Sequence, residues 1–201
     1  SLIAIDEAHL ISRWGPSFRP EYEALTRIRE TFLNVPIVAL TATADKSTQD
    51  DISKKLFGGQ GSVFVSGFDR PNIHLGVAMR VDAKKQLLSI LNENFGKSGI
   101  IYCLSRAKTE EMASFLSKNG YKSLAYHAGM APEIRMRNQE TFMRESAGII
   151  MVATIAFGMG IDKPDVRFVI HMNMPGNIET YYQEIGRAGR DGKPAIAHMI
   201  Y

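Results

Sequence analysis

Short apolar runs alternate along this chain with longer amphipathic stretches, and the two patterns predict its elements. Residues 2–5 form an apolar run that stops at two carboxylates, which predicts a buried parallel strand delivering acidic side chains at its carboxyl end. Residues 21–33 carry Tyr22, Leu25, Ile28, Phe32 and Leu33 at helical spacing and predict a helix. Residues 37–40 predict a second strand, 45–56 a helix and 63–65 another short strand.

Past Gly67 the rhythm becomes regular. Strands are predicted at 73–77, 99–103, 123–126, 148–152, 166–172 and 194–201, with helices over 83–95, 105–118 and 132–145. A further helix starts at Asn177 and carries the pattern to 192. Ser105 and Asn177 are suited to N-caps, Pro132 to a first helical position and Gly120 to a helix stop. Strand–helix alternation of this kind predicts an α/β fold with a parallel sheet. Pro71 holds the residue before it extended, and the pattern changes near Gly67, giving two predicted domains, residues 1–66 and 67–201.

Composition narrows this only slightly. In 201 residues, 45% hydrophobic, no run approaches the roughly 18 apolar residues of a membrane span, so a cytoplasmic setting is expected. Cys103 is the single cysteine, which excludes an intrachain disulfide and a cysteine-cluster zinc site. The net charge of +3 is unevenly placed: residues 1–66 hold 7 basic against 8 acidic side chains, residues 67–201 hold 17 against 13. The later part is therefore the better match for a phosphate-rich partner.

Candidate chemistry concentrates at predicted strand ends. Asp6 and Glu7, adjacent on an extended strand, would point opposite ways and do different jobs. In a nucleotide site one carboxylate holds Mg²⁺ and the other orients an attacking water; a solvated Asp-Glu pair is the plain alternative. In the loop over 12–22, Trp14, Phe18, Arg13 and Arg19 can stack bases and contact phosphates, or the aromatics can simply pack. Thr41 and Thr43 offer hydroxyls to a neighbouring strand's carboxylates. Ser105, Arg106, His127, the Gly129 backbone and Thr154 lie at later strand ends, where phosphates can be bound, although a lone histidine such as His127 is more often structural. Gly158 and Gly160 permit close backbone approach, Asp162 can accept from a ribose hydroxyl, and Arg187 and Arg190 would share a helix face toward one anion. Gly58-Gly-Gln-Gly61 lacks a following Lys-Ser or Lys-Thr and reads as a turn; no Walker A loop occurs in these residues.

Taken together, these strings resemble RecQ-family DNA helicases of superfamily two over nearly the whole chain. Asp6-Glu-Ala-His9 is similar to the Walker B element, Ile11–Tyr22 to the aromatic-rich loop, and Thr41-Ala-Thr43-Ala44 to motif III. Tyr102–Arg106 resembles motif IV, Tyr126-His-Ala-Gly129 the element after it, Val152–Asp165 motif V and Thr180–Gly192 motif VI. The resemblance implies two RecA-like P-loop NTPase lobes with parallel sheets, the first truncated at its amino end, spanning the DEAH motif through motif VI. It also implies ATP and Mg²⁺ as cofactors, with the metal on Asp6, and Asp6, Glu7, His9, Arg187 and Arg190 as catalytic residues. ATP contacts fall to Gly160, Asp162, Gln183, Arg187 and Arg190, with the arginines reaching across an interdomain cleft. DNA contacts fall to Arg13, Trp14, Phe18, Arg19, Ser105, Arg106, His127, Gly129 and Thr154, with Thr41 and Thr43 coupling the two.

The activity so implied is 3′→5′ translocation on single-stranded DNA and unwinding of duplex at forked DNA in repair and recombination, by a monomeric, nucleoid-associated motor. Without a Walker A loop these residues are expected to be inactive alone. Two other classes remain open: a different nucleic-acid translocase or RNA helicase, and a non-catalytic nucleic-acid-binding module.

Overall fold

The structure is a computed structural model that describes residues 1–12, 20–42, 44–65, 67, 69–146, 148–158 and 161–201, without the side chains of Pro20 and Glu23. It divides into two compact units, Ser1–Phe68 and Asp69–Tyr201.

In the first unit, β1 (Ile3–Ile5) pairs in parallel with β2 (Ile37–Ala39), Ile3 opposite Ile37. A 3₁₀ turn follows over Ala8–Ile11, then α1 (Pro20–Ala24), a 3₁₀ turn over Leu25–Arg27 and α2 (Ile28–Thr31). α3 (Lys46–Phe57) is capped by Asp45, whose carboxylate accepts from the Thr48 amide at 2.8 Å, and closes on left-handed Gly58. Ile5, Ala8, Ile11, Ile52 and Leu56 form the core.

Two expectations fail in this unit. The helix over 21–33 is broken into three pieces, and Leu33 at its end is 83% exposed. Short helical turns are stable only when packed, and the small core engages Tyr22 and Leu25 but not Phe32 or Leu33. The strand over 63–65 does not form either; Phe64 is 93% exposed. Among the described residues this unit has a two-stranded sheet, and a strand without a ladder partner leaves its amides to water.

The second unit is a six-stranded, all-parallel sheet ordered β3-β8-β7-β4-β6-β5. In chain order it runs β3 (Ile73–Ala78), α4 (Ala83–Glu93), β4 (Ser98–Tyr102), α5 (Arg106–Lys118), β5 (Lys122–Tyr126) and α6 (Pro132–Arg144). It continues with β6 (Ile149–Ala153), β7 (Val166–His171), α7 (Ile178–Ile185) and β8 (Ala195–Ile200). Apolar residues pack on both faces: Ile100, Met151 and Val169 meet Phe142 and Ile185 on one, while Ile101, Val152 and Ile170 meet Leu87 and Leu116 on the other. Central strands are therefore apolar throughout. Gly99 is a close-packing position, since a Cβ there would fall inside the Phe168 ring.

Ser105 and Asn177 cap α5 and α7 through the amides of Lys108 and Thr180, and Pro132 opens α6. The last predicted helix stops early: α7 ends at Ile185, and residues 186–192 form turns. Arg70 donates to the carbonyls of Gly186, Ala188 and Gly189, and Asn72 to those of Gly189 and Lys193. These contacts occupy acceptors in the turn, and Gly189 takes a left-handed φ of 56°. Because every strand is parallel, Tyr102, Tyr126, Ala153 and His171 all finish at one edge of the sheet. Among the described residues no helix is long and apolar enough to cross a membrane.

Candidate nucleotide and nucleic-acid sites

In the first unit the strand ends at Ile5 rather than running through the two carboxylates. Asp6 is exposed and its Oδ1 accepts from the Glu7 amide at 2.8 Å. Glu7 turns left-handed, φ 51° and ψ 38°, the one non-glycine with positive φ among the described residues. The two side chains are thus separated by a sharp turn, not by strand alternation. Backbone bonds from Ala8 to the Leu40 carbonyl (3.0 Å) and from Leu40 to that of Ile5 (2.8 Å) fix this turn on β2. A left-handed glutamate costs on the order of 1 kcal/mol, and such positions cluster at functional sites.

His9 is buried beneath it. Its Nδ1 lies 3.2 Å from Glu7 Oε2 and 2.9 Å from Thr41 Oγ1. The motif III threonine accordingly meets the histidine, and the histidine meets the carboxylate. Among the described residues no group of three or more His, Cys, Asp or Glu could hold a metal. A single exposed carboxylate at Asp6 still suits Mg²⁺, which keeps several waters and takes its other ligands from phosphates. Ser12 Oγ donates to Asp51 (2.7 Å) and Lys55 to the Ile11 carbonyl (3.0 Å), tying the entry of the aromatic-rich loop to α3. Arg13, Trp14, Phe18, Arg19, Thr43 and Gly160 lie outside the described residues.

In the second unit the turn after α7 gathers three of the expected residues. Arg190 Nη1 donates to Asp162 Oδ1 at 2.7 Å and to the Ile161 carbonyl at 2.8 Å, and the Asp162 side chain is 83% exposed. Arg187 Nη1 donates to the Gly158 carbonyl. A Cβ at Gly158 would sit 2.7 Å from Arg187 Nη2, so a side chain there would displace the guanidinium. The arginines are therefore held by turns and by contacts to Gly158, Ile161 and Asp162, not by a shared helix face. Gln183 is exposed on α7. Beneath the arginines, Tyr102 donates to the Phe157 carbonyl at 2.9 Å. Burial pushes its hydroxyl pKa well up, against the pull of Arg187.

A groove of about 590 Å³ opens at the carboxyl ends of β4, β5 and β6. Ser105, Arg106, Ala128 and Thr154 line it, with exposed Leu104 and Ile155 at its rim. The Arg106 side chain crosses Gly129, where a Cβ would fall 2.9 Å from its Nη1. His127 is placed differently: it is 3% exposed and its Nε2 lies 3.0 Å from Glu110 Oε1, beneath the groove rather than in its lining. Cys103, beside the groove, has its thiol pKa pushed up to about 12 by burial, so it stays protonated. Sequence reasoning missed the buried pair His171–Glu184, Nε2 to Oε2 at 2.7 Å. Glu184 lies within the string that resembles motif VI, but His171 carries only the signal of a histidine closing an apolar strand.

Comparison with known proteins follows the same division. A family model described as the helicase conserved C-terminal domain matches residues 82–192. The ATP-dependent DNA helicase RecQ of Haemophilus influenzae is 50% identical over 199 residues, covering 99% of this chain and 32% of that protein. Its namesake in Pasteurella multocida is 48% identical over 201 residues, covering 100% of this chain and 32% of that protein. The chain thus spans about a third of the length of these curated relatives. A solved structure of a Saccharomyces cerevisiae Dbp5 variant bound to Gle1 and IP6 has a TM-score of 0.77 at 19% identity, covering 100% of this chain and 51% of that one.

Proposed function

Because this chain belongs to the helicase conserved C-terminal domain family, is of the RecQ type and has the α/β fold of RecA-like helicase domains, we propose that it is motor sequence of an ATP-dependent DNA helicase. The observation that carries this reading is the turn joining Arg187 and Arg190 to Asp162 and Gly158 at the strand-end edge of the second unit. Two guanidinium groups, each already oriented by a carbonyl or carboxylate, are what stabilisation of charge on a transferring phosphoryl group needs.

In this reading Asp6 takes Mg²⁺, largely through water, and Glu7 orients the attacking water while His9 steadies its carboxylate. Bound Mg²⁺ would neutralise charge on the β- and γ-phosphates. Arg190 and Arg187 donate to the phosphoryl oxygens, Asp162 accepts from ribose, and Gly160 and Gln183 complete the nucleotide contacts. Ser105, Arg106, the Gly129 backbone and Thr154 hold DNA phosphates in the groove. Trp14 and Phe18 stack bases, Arg13 and Arg19 accompany them, and Thr41 and Thr43 transmit DNA binding to the carboxylates. His127 braces the groove from below. The coupled work is 3′→5′ translocation and unwinding of forked DNA in repair and recombination, by a monomer at the nucleoid.

The test is DNA-stimulated ATP hydrolysis by the full-length protein. Glu7→Gln or Arg190→Ala should lower kcat by about 10³-fold or more with nucleotide binding retained. Trp14→Ala should keep basal hydrolysis and lose the stimulation. Undiminished turnover in Glu7→Gln and Arg190→Ala would overturn the reading. The 201 residues alone, which contain no Walker A loop, should release no phosphate.

A further inference from the structure

Below the arginine turn, contacts close into a ring that links the motif IV, V and VI strings through His171, which lies in none of them. The Arg187 amide donates to the Glu184 backbone carbonyl at 3.3 Å, so the two residues share one turn. Glu184 Oε2 lies 2.7 Å from His171 Nε2, with both side chains almost fully buried. The His171 ring stacks on Tyr102, centroids 5.2 Å apart at 21°, and leans on Tyr181 at 5.1 Å. The Tyr102 hydroxyl donates to the Phe157 carbonyl, and the next carbonyl, Gly158, receives the Arg187 guanidinium. Arginine backbone and arginine head are thus located by one closed set of side chains and backbone carbonyls.

We propose that His171 and Glu184 are positioning residues for Arg187, fixing where its guanidinium meets the phosphates. The inference rests on the helicase reading above and adds to it two residues that touch no nucleotide. A merely structural role fits poorly. A buried polar pair around a carboxylate is an inefficient way to gain stability, and well-packed apolar residues usually serve as well. Moreover, among the described residues none hydrogen-bonds buried His171 Nδ1, so the ring satisfies Glu184 at the expense of its other nitrogen. The arrangement favours a fixed geometry over full satisfaction. Catalytic groups need such support, because small displacements of a charge-stabilising group cost rate and not fold.

The experiment separates fold from position. His171→Phe/Glu184→Leu replaces the pair by apolar side chains. In the full-length protein it should unfold at the wild-type temperature or above, yet lose kcat at least tenfold at unchanged KM for ATP. Glu184→Met, which keeps the volume and loses the bond, serves the same comparison by itself. Glu184→Gln, which can still accept from Nε2–H, should retain most of the rate. In the 201-residue chain the Arg187 Nε–H resonance, slow to exchange in the wild type, should join those of exposed arginines in the double variant. A folded double variant, or a folded Glu184→Met, with wild-type kcat overturns the proposal. Arg187→Ala, measured alongside, tests the helicase reading itself. If that variant hydrolyses ATP normally, the helicase reading fails. The Arg187 resonance then decides: unchanged in the double variant, it overturns the positioning role as well.

Discussion

Residues 63–65 and 149–151 are alike as sequence, Val-Phe-Val against Ile-Ile-Met, and they end differently. The second triplet opens β6, buried between β4 and β5 with apolar residues on both faces. The first lies without a ladder, Phe64 almost wholly exposed. The same contrast separates the two units. In the larger, each apolar run finds neighbours, and helices cover both faces. In the smaller, the described sheet has two strands, and helical residues such as Phe32 and Leu33 stay outside the core. An apolar run is a request for partners; the strand exists only where the backbone on either side supplies them.

The most severe way to break this comparison is to spoil the fit where partners are closest. Gly99→Val puts two methyl groups where the Phe168 ring already sits, in the middle of the second unit. Overpacking of this degree, against a buried ring and the adjacent β7, should leave that unit without a cooperative unfolding transition. Calorimetry on the 201-residue chain checks it. A normal transition would mean that Phe168 can move aside and that the sheet is looser than its geometry implies.

This contrast also explains what is legible in the sequence. Elements of the second unit are readable from periodicity and caps, because Ser105, Asn177 and Pro132 act locally. The end of α7 is not, since the carbonyls of the turn that follows it are taken by Arg70 and Asn72, more than a hundred residues earlier in the chain. Asp162, Arg187 and Arg190 are readable as a group by motif and are gathered here, yet through turns instead of a common helix face. His171 with Glu184 has no such signature, because the pairing depends on β7 lying beside α7. In the first unit, Tyr22 and Leu25 pack as the helical pattern asks, whereas Phe32 and Leu33 do not, because periodicity describes a face and not what covers it.

A milder test compares two leucines. Leu116 of α5 is fully buried, and Leu116→Ala should destabilise the second unit by about 2–5 kcal/mol. Leu33→Ala, at a similar helical position by sequence, should change the first by no more than about 0.5 kcal/mol. Denaturant unfolding followed by amide exchange in each unit measures both. A cost at Leu33 comparable with that at Leu116 would show that a partner covers it in solution.

The smallest effect falls at the carboxylate turn, where the first unit holds the one non-glycine with positive φ among the described residues. At ordinary helix or strand positions alanine is more stable than glycine by roughly 0.5–1 kcal/mol, because glycine has more freedom to lose. Glu7, with φ 51° and ψ 38°, occupies the region where that order inverts. A left-handed residue with a Cβ costs about 1–2 kcal/mol, and glycine avoids it. Glu7→Gly should therefore be more stable than Glu7→Ala by about 1 kcal/mol, although both lose the same carboxylate beside His9. Amide exchange at Ala8 and Leu40, whose bonds to β2 and β1 depend on the turn, gives the difference directly. Both variants should be equally inactive in ATP hydrolysis in the full-length protein, so strain and chemistry are measured apart. Glu7→Ala matching or exceeding Glu7→Gly in protection would show that the turn relaxes out of the left-handed region. The glutamate would then reach its water from an unstrained backbone.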